Sequence, residues 1–215
     1  MGTGSSSGVP VASCLMLGEE ACPVCRKAAY DGPPEENKNY RCNPSLLIKS
    51  SMGTTVLIDA GKHFREASIR WFPRYNVHRL HAVVLTHDHA DAIMGLDDLR
   101  CVEPKKCPKP PVKLVSLTGP PLTDAEAQAA DRDAAAENDA AGGGDEVMEH
   151  EYKPEPTPVF LAQRTMDAMR RVFPYLVKEP EVIKGVTRKV AQLSWNVIAP
   201  MEPFTVGDLE IMPIP

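Results

Sequence analysis

The fold of this chain is decided by residues 81–91, which read HAVVLTHDHAD. The first five residues form an apolar run with β-branched residues in its middle, typical of a strand buried on both faces. A loop follows at once and carries His87, His89 and Asp91. The stretch therefore predicts a buried strand that ends in a cluster of polar side chains.

These three polar side chains have the chemistry of a metal site. His87, His89 and Asp91 stand two residues apart. A turn at the end of a strand can bring such side chains together, and zinc needs imidazole nitrogens at about 2.0–2.1 Å. The plainer interpretation is a polar strand–loop junction with solvated histidines. We favour the metal site because histidines with structural roles usually stand alone.

Short strands and amphipathic helices alternate along the rest of the chain. The patterns predict a hairpin over 46–58, a helix over 62–72, a helix start or turn over 92–99, strands over 112–117 and 159–162, a helix over 163–172, and strands over 193–198 and 204–212. The helix over 163–172 is expected to bury one face, formed by Met166, Met169 and Val172. This alternation favours an α/β fold.

The composition excludes several classes of protein. Of the 215 residues, 43% are hydrophobic and 25% are charged, which excludes a wholly disordered chain. No apolar run approaches the length of about 18 residues that a membrane span needs. The net charge is −5, so the chain lacks the basic character of a nucleic-acid-binding protein.

The negative charge is concentrated in one segment. Ten acidic residues and one arginine between Asp124 and Glu151 carry a net charge of −9, which leaves +4 on the remainder. Residues 122–150 are rich in Ala, Asp, Glu and Gly and nearly lack large apolar side chains. We therefore predict a disordered surface insertion there. The mildly basic remainder would suit a small anionic substrate.

The first 45 residues are rich in Gly, Pro, Cys and Asn, and we predict a loop held by something other than a core.

No secretory signal is recognisable at the N-terminus, so a cytoplasmic, reducing location is expected. In such a location clustered cysteines more often bind metal than form disulfides. Cys22 and Cys25 then form half of a zinc site. A thioredoxin-like redox pair is the alternative, disfavoured because no strand precedes the pair and no regular helix is expected after it. Cys42 could be a spare ligand, but a buried structural cysteine is the favoured interpretation, and no role is assigned to Cys101 and Cys107.

Six motifs follow one another in an order that resembles a known family. They are GTGSSSGVP at 2–10, CPVC at 22–25, RCNPSLLI at 41–48, LIDAGKHFR at 57–65, THDHAD at 86–91 and GLDDLR at 95–100. Together they resemble the metallo-β-lactamase superfamily, whose hallmark is His-x-His-x-Asp-His at the end of a strand. Within it they resemble the branch of the cyclic-phosphate phosphodiesterase of the carbon–phosphorus lyase pathway and its eukaryotic relatives. The resemblance covers the chain except 122–150 and implies an αβ/βα sandwich.

The resemblance also implies roles for the polar cluster. His87 and His89 would bind the first metal ion, and Asp91 would bind a second ion or orient the attacking water. Two ions about 3.5–4 Å apart would hold the attacking and leaving oxygens of a phosphodiester and lower the pKa of the water toward ~7. Zinc is the expected ion, with one or two at this site, and Mn²⁺ is the alternative.

Further residues within these motifs are candidates for supporting roles. Asp59, Asp97 and Asp98 could orient the imidazoles, although a solvated helix start explains the last two equally well. The basic residues that could hold a substrate phosphate are Arg41, Lys62 and Arg65. Surface solvation or ion pairing is the favoured interpretation of these three. The resemblance further implies that Cys14, Cys22 and Cys25 bind a structural zinc together with a later histidine.

The chain departs from the family pattern at two points. Ala92 stands where the family has a histidine, which removes one ligand of the second ion. The remaining family ligands would lie beyond Pro215. We therefore expect a single metallo-β-lactamase-like domain over 1–215 that is truncated at both ends. It would comprise the first half of the sandwich and part of the second half. By itself the chain is expected to be inactive.

The expected function is that of a metal-dependent hydrolase, a phosphodiesterase that acts on a small cyclic phosphate or a similar anionic ester through a zinc-activated water. The alternative is a non-catalytic, truncated protein of the same fold with a structural zinc. A third hypothesis, an RNA-processing nuclease of the same superfamily, is disfavoured by the lack of basic or aromatic runs. The expected partners are a small anionic substrate and a missing C-terminal half, with no nucleic acid and no membrane.

Overall fold

The centre of the fold is a five-stranded mixed sheet. The computed structural model of the chain describes residues 1–102, 155–178 and 190–215. The strands lie side by side in chain order: β1 (Leu46–Lys49), β2 (Thr55–Ile58), β3 (Ala82–Leu85), β4 (Thr157–Leu161) and β5 (Leu193–Val197). β1 pairs antiparallel with β2, and β2 to β5 are parallel. The carboxyl ends of β2 to β5 therefore meet at one edge of the sheet.

Short helices and a hairpin complete the described structure. The α-helices are α1 (Ala12–Leu15), α2 (Pro23–Tyr30), α3 (Phe64–Trp71), α4 (Ala90–Ile93), α5 (Gln163–Val172) and α6 (Pro174–Val177), and two 3₁₀ helices span Gly18–Glu20 and Leu96–Cys101. The hairpin consists of β6 (Phe204–Val206) and β7 (Leu209–Ile211). In the part of the chain that the structure describes, no helix is long and apolar enough to cross a membrane.

Both faces of the sheet are covered, because successive apolar side chains of a strand point to opposite faces. On one face, Leu57 and Val83 are fully buried in a core that includes residues of the helices. On the other face, Val56 packs with the β6–β7 hairpin. There the rings of Phe160 and Phe204 stack with their centroids 4.3 Å apart. The predicted α/β class is confirmed, as is the strand buried on both faces.

Three local predictions are wrong. The first 45 residues are not only loop: α2 begins at Pro23, which suits the first helical position, and it buries Cys25 and Ala28. The stretch 204–212 is a hairpin rather than one strand, with its turn at Gly207, which has a φ of +58°. In α5, Met166 and Met169 are buried as expected, but Val172 is 48% exposed.

Two predictions lie outside the described residues: the strand over 112–117 and the disordered insertion over 122–150. Single-domain organisation and truncation at both ends also stay predictions.

Candidate metal centre

The candidate ligands lie where β3 ends at the carboxyl edge of the sheet. His87 lies in the loop, His89 is the N-cap of α4, and Asp91 lies in the first turn of that helix. The turn from strand to helix folds the chain back on itself. It therefore brings together side chains that are close in sequence.

The donor atoms of the three residues converge. One ligand atom from each of His87, His89 and Asp91 lies within 4.8 Å of the others. Nε2 of His87 is 3.5 Å from Oδ1 of Asp91, close to the ~3.4 Å that separates two ligands of a tetrahedral zinc ion. The two imidazole rings are nearly perpendicular at 78°, with centroids 5.0 Å apart. Catalytic zinc sites commonly have three protein donors and leave the fourth position to water or substrate.

The Asp59 carboxylate supports this loop from the neighbouring strand end. Oδ1 of Asp59 accepts a hydrogen bond from the backbone N–H of Thr86 at 2.8 Å, and Oδ2 accepts one from the Thr86 hydroxyl at 2.6 Å. The same hydroxyl is 2.9 Å from Nδ1 of His87. Asp59 thus reaches the histidine through Thr86, a residue that the sequence analysis did not single out.

The environment of Asp59 is strained and buried. Its φ is +60°, which is uncommon for a residue other than glycine. Burial raises the pKa of its carboxyl and nearby Asp91 adds to this, while the hydrogen bonds from Thr86 and the proximity of His87 act in the opposite direction. Strain of this kind persists where the surrounding structure holds a functional group in place.

The backbone of the loop after β2 packs directly on the candidate metal loop. The N–H of Ala60 donates to the carbonyl of Ala92 at 2.7 Å, and the N–H of Gly95 donates to the carbonyl of Ala60 at 2.8 Å. A side chain at Gly61 would overlap the carbonyl of Asp91. The glycine of the LIDAG motif therefore allows the two loops to touch.

Other aspartates of these motifs make different contacts. Asp97 forms an ion pair with Arg100 at 2.7 Å, and Asp88 lies 3.8 Å from Arg164. Among the residues that the structure describes, neither Asp97 nor Asp98 joins the donor group of the two histidines. Ala92 is fully buried, and its methyl side chain has no donor atom for a metal.

The three N-terminal cysteines also converge. The sulfur atoms of Cys14, Cys22 and Cys25 all lie within 4.8 Å of one another. Each accepts one backbone hydrogen bond: Cys14 from Cys22 at 3.3 Å, Cys22 from Cys25 at 3.4 Å, and Cys25 from Val11 at 3.5 Å. A backbone N–H donor stabilises a thiolate, the form that binds metal. At Cys25, however, the hydrogen bond from Val11 is outweighed by burial and by the Cys22 and Cys14 thiols, which raise the pKa of its thiol. In the described ranges no fourth His, Cys, Asp or Glu joins the group.

A helix follows the first cysteine of the Cys-x-x-Cys pair, as it does in redox-active pairs. Cys22 is the N-cap of α2, whereas no regular helix was expected there. The hydrogen bond from the backbone of Cys25 lowers the pKa of the Cys22 thiol, and hydrogen bonds with the Cys14 and Cys25 thiols lower it further. The presence of α2 thus removes one objection to a redox pair. The third converging sulfur, that of Cys14, is what favours a metal site.

Among the described residues, no hydrogen bond or ion pair joins the basic candidates to the candidate metal ligands. Arg41 donates to the Thr3 hydroxyl at 3.2 Å, and Lys62 and Arg65 are exposed. Asn43 and His63, by contrast, join three motifs: Asn43 donates to the carbonyl of Ser6 at 2.8 Å, and its side-chain oxygen is 2.7 Å from Nδ1 of His63. The N-terminal loop is thus held against the motifs that follow β2.

Part of the chain matches a known protein family. Residues 54–140 match the family model of the beta-lactamase superfamily domain. The chain has the metallo-β-lactamase fold, and the predicted resemblance to that superfamily is confirmed.

The proteins similar to this chain include two solved structures and one curated protein. A diphosphatase of the PhnP family is 22% identical with a TM-score of 0.54, over 97% of this chain and 52% of that one. The zinc-bound PqqB of Methylobacterium extorquens is 16% identical with a TM-score of 0.51, over 96% of this chain and 47% of that one. An octanoyltransferase of Porphyromonas gingivalis is 36% identical over 102 residues, which are 47% of this chain and 17% of that protein. The chain thus spans about half the length of the solved structures.

Proposed function

We propose that this chain is part of a metal-dependent hydrolase, a phosphodiesterase that acts on a small phosphate ester. The observation that carries the proposal is the convergence of two imidazoles and a carboxylate, with donor atoms within 4.8 Å of one another, at the end of a buried strand. Such a set of N and O donors suits Zn²⁺ and also Mn²⁺.

The side chains have distinct tasks in this proposal. A bound divalent ion would lower the pKa of a water molecule toward ~7 and offset negative charge on phosphate oxygens. His87 and His89 hold that ion through their imidazoles. The carboxylate of Asp91, 3.5 Å from His87, binds an ion or accepts a proton from the attacking water. Because Ala92 supplies no ligand, one ion is expected within the described part of the site.

The proposed substrate class comes from the description of a similar structure. One similar structure is described as a diphosphatase of the PhnP family, which favours a phosphate-containing substrate. The curated relative is named as an octanoyltransferase, but the match covers 17% of that protein. The proposed substrate is therefore a phosphate ester, in keeping with the description of the diphosphatase.

A second candidate is a non-catalytic protein of the same fold that keeps a structural zinc. Ala92 at the position of the usual histidine favours it. So does the cysteine group, in which every sulfur accepts a backbone hydrogen bond.

Metal content and hydrolysis, measured together, decide between the two. We expect the protein, produced from its complete coding sequence and supplied with zinc, to hydrolyse bis(4-nitrophenyl) phosphate. His89→Ala is expected to lose one equivalent of metal and at least 100-fold in activity while remaining folded, whereas the control His78→Gln, at an exposed histidine, keeps both. Zinc bound through the cysteines alone, with no hydrolysis, would contradict the enzyme and support the second candidate.

A further inference from the structure

We propose that Thr86 is a positioning residue that sets the tautomer of His87, so that Nδ1 carries the proton and Nε2 is left free to bind metal. The inference rests on the proposed metal site. It concerns the hydroxyl that links Asp59 to His87, a connection that the motifs do not reveal.

Two partners compete for the one proton of the Thr86 hydroxyl. The Thr86 hydroxyl has a single proton and lies between two partners, Oδ2 of Asp59 at 2.6 Å and Nδ1 of His87 at 2.9 Å. An ionised carboxylate only accepts hydrogen bonds, and Asp59 already accepts one from the backbone N–H of Thr86. The hydroxyl therefore donates to Asp59 and can only accept from the histidine.

The hydrogen bonds therefore run in one direction, from the His87 ring to the Thr86 hydroxyl and from that hydroxyl to Asp59. Nδ1 of His87 must carry its proton in order to donate to the Thr86 oxygen. In a neutral imidazole Nε2 then has a lone pair, and Nε2 is the atom that faces Asp91 at 3.5 Å. The hydroxyl thus keeps the ring oriented and in the tautomer that a metal ion requires.

Three substitutions separate this role from a merely structural link between the loops. Thr86→Val has nearly the same shape but removes the hydroxyl, whereas Thr86→Ser keeps it. Asp59→Asn keeps the shape of the acceptor but supplies an amide that can donate to the Thr86 oxygen. The hydroxyl proton would then turn toward Nδ1 of His87 and force the proton onto Nε2.

The first test needs no metal. The full chain with ¹⁵N-labelled histidine is studied by NMR in the presence of a chelator, and the His87 ring signals are assigned by their loss in His87→Gln. We expect the Nδ1–H tautomer in the wild type and in Thr86→Ser, and the Nε2–H tautomer in Asp59→Asn. An Nε2–H tautomer in the wild type would overturn the proposal.

The second test measures metal affinity. Mn²⁺ is titrated by electron paramagnetic resonance because it prefers N and O donors to the cysteine sulfurs. We expect Thr86→Val to weaken binding about 10- to 100-fold and Thr86→Ser to stay within about threefold of the wild type. Unchanged affinity in a folded Thr86→Val would refute the positioning role. If the wild type bound no ion through its histidines, the proposed function would fail, and the NMR measurement alone would decide the role of Thr86.

Discussion

The carbonyl of Asp91 lies so close to the α-carbon of Gly61 that no side chain fits between them. The two residues follow different strands, β2 and β3, yet their backbones touch. This contact fixes the distance between the loop that carries Asp59 and the loop that carries the candidate metal ligands.

Gly61→Ala is expected to displace the candidate metal loop. Backbone atoms cannot rotate away from the added methyl group, so we expect a loss of about 1–3 kcal/mol in unfolding free energy and at least 10-fold weaker Mn²⁺ binding. Urea unfolding and metal titration measure both. The control is Gly32→Ala, where φ is +89° and nothing lies within 4 Å. It should cost stability but leave metal binding unchanged, and an equal loss of metal in both variants would contradict the explanation.

Cys25→Ser is expected to release one zinc ion per chain and to lower the melting temperature. The reason is that Cys25 contributes one of three converging sulfurs, and bound zinc stabilises the folded state. Metal analysis after dialysis and thermal unfolding provide the measurements. The matched control is Cys42→Ser, since Cys42 and Cys25 are both 5% exposed but Cys42 lies outside the sulfur group. Zinc content that is the same in both variants would show that these sulfurs do not bind it.

His81 is expected to make the protein less stable in mild acid. Burial, with a contribution from Arg79, lowers the pKa of His81 from its ordinary 6.5, although Asp208 acts in the opposite direction. Below pH 6.5 the unfolded chain binds a proton that the folded chain does not, so stability falls as pH decreases from that value toward the folded-state pKa. Above that range the contribution is constant.

The measurement is urea unfolding at about pH 7.5 and pH 5.5, on either side of the ordinary histidine pKa. His81→Gln removes the titrating group, so the difference in unfolding free energy between the two pH values should shrink. The exposed His78, replaced by Gln, is the control and should leave that difference as it is. An unchanged pH dependence in His81→Gln would rule out this source of acid sensitivity.

Met169→Ala is expected to destabilise the protein much more than Val172→Ala. Met169 is fully buried, whereas Val172 on the same helix is 48% exposed. The first substitution should cost about 2–5 kcal/mol through lost burial and a cavity, and the second roughly 0.5 kcal/mol or less. Chemical denaturation of both variants tests which side of α5 faces the core. Equal losses would place Val172 in the core after all.

The parts of the fold that were predictable are those encoded by neighbouring residues. β3 has a continuous apolar run and α5 has a helical apolar pattern, and both elements lie where these patterns indicated. α2 was missed because its eight residues include Pro, Cys and Lys and lack a strong apolar stripe. The β6–β7 hairpin was read as one strand because its turn contains only Gly207 and Asp208, too short to interrupt the apolar pattern visibly.

From the order of its amino acids alone, this chain could be assigned a buried strand, an α/β class and three potential metal ligands within five residues, because each of these depends on neighbours along the backbone. The tertiary structure decided that Thr86 connects Asp59 to His87 and that Gly61 touches Asp91. These pairs are up to 30 residues apart in the chain, and they meet because β2 and β3 run parallel and end at the same edge of the sheet.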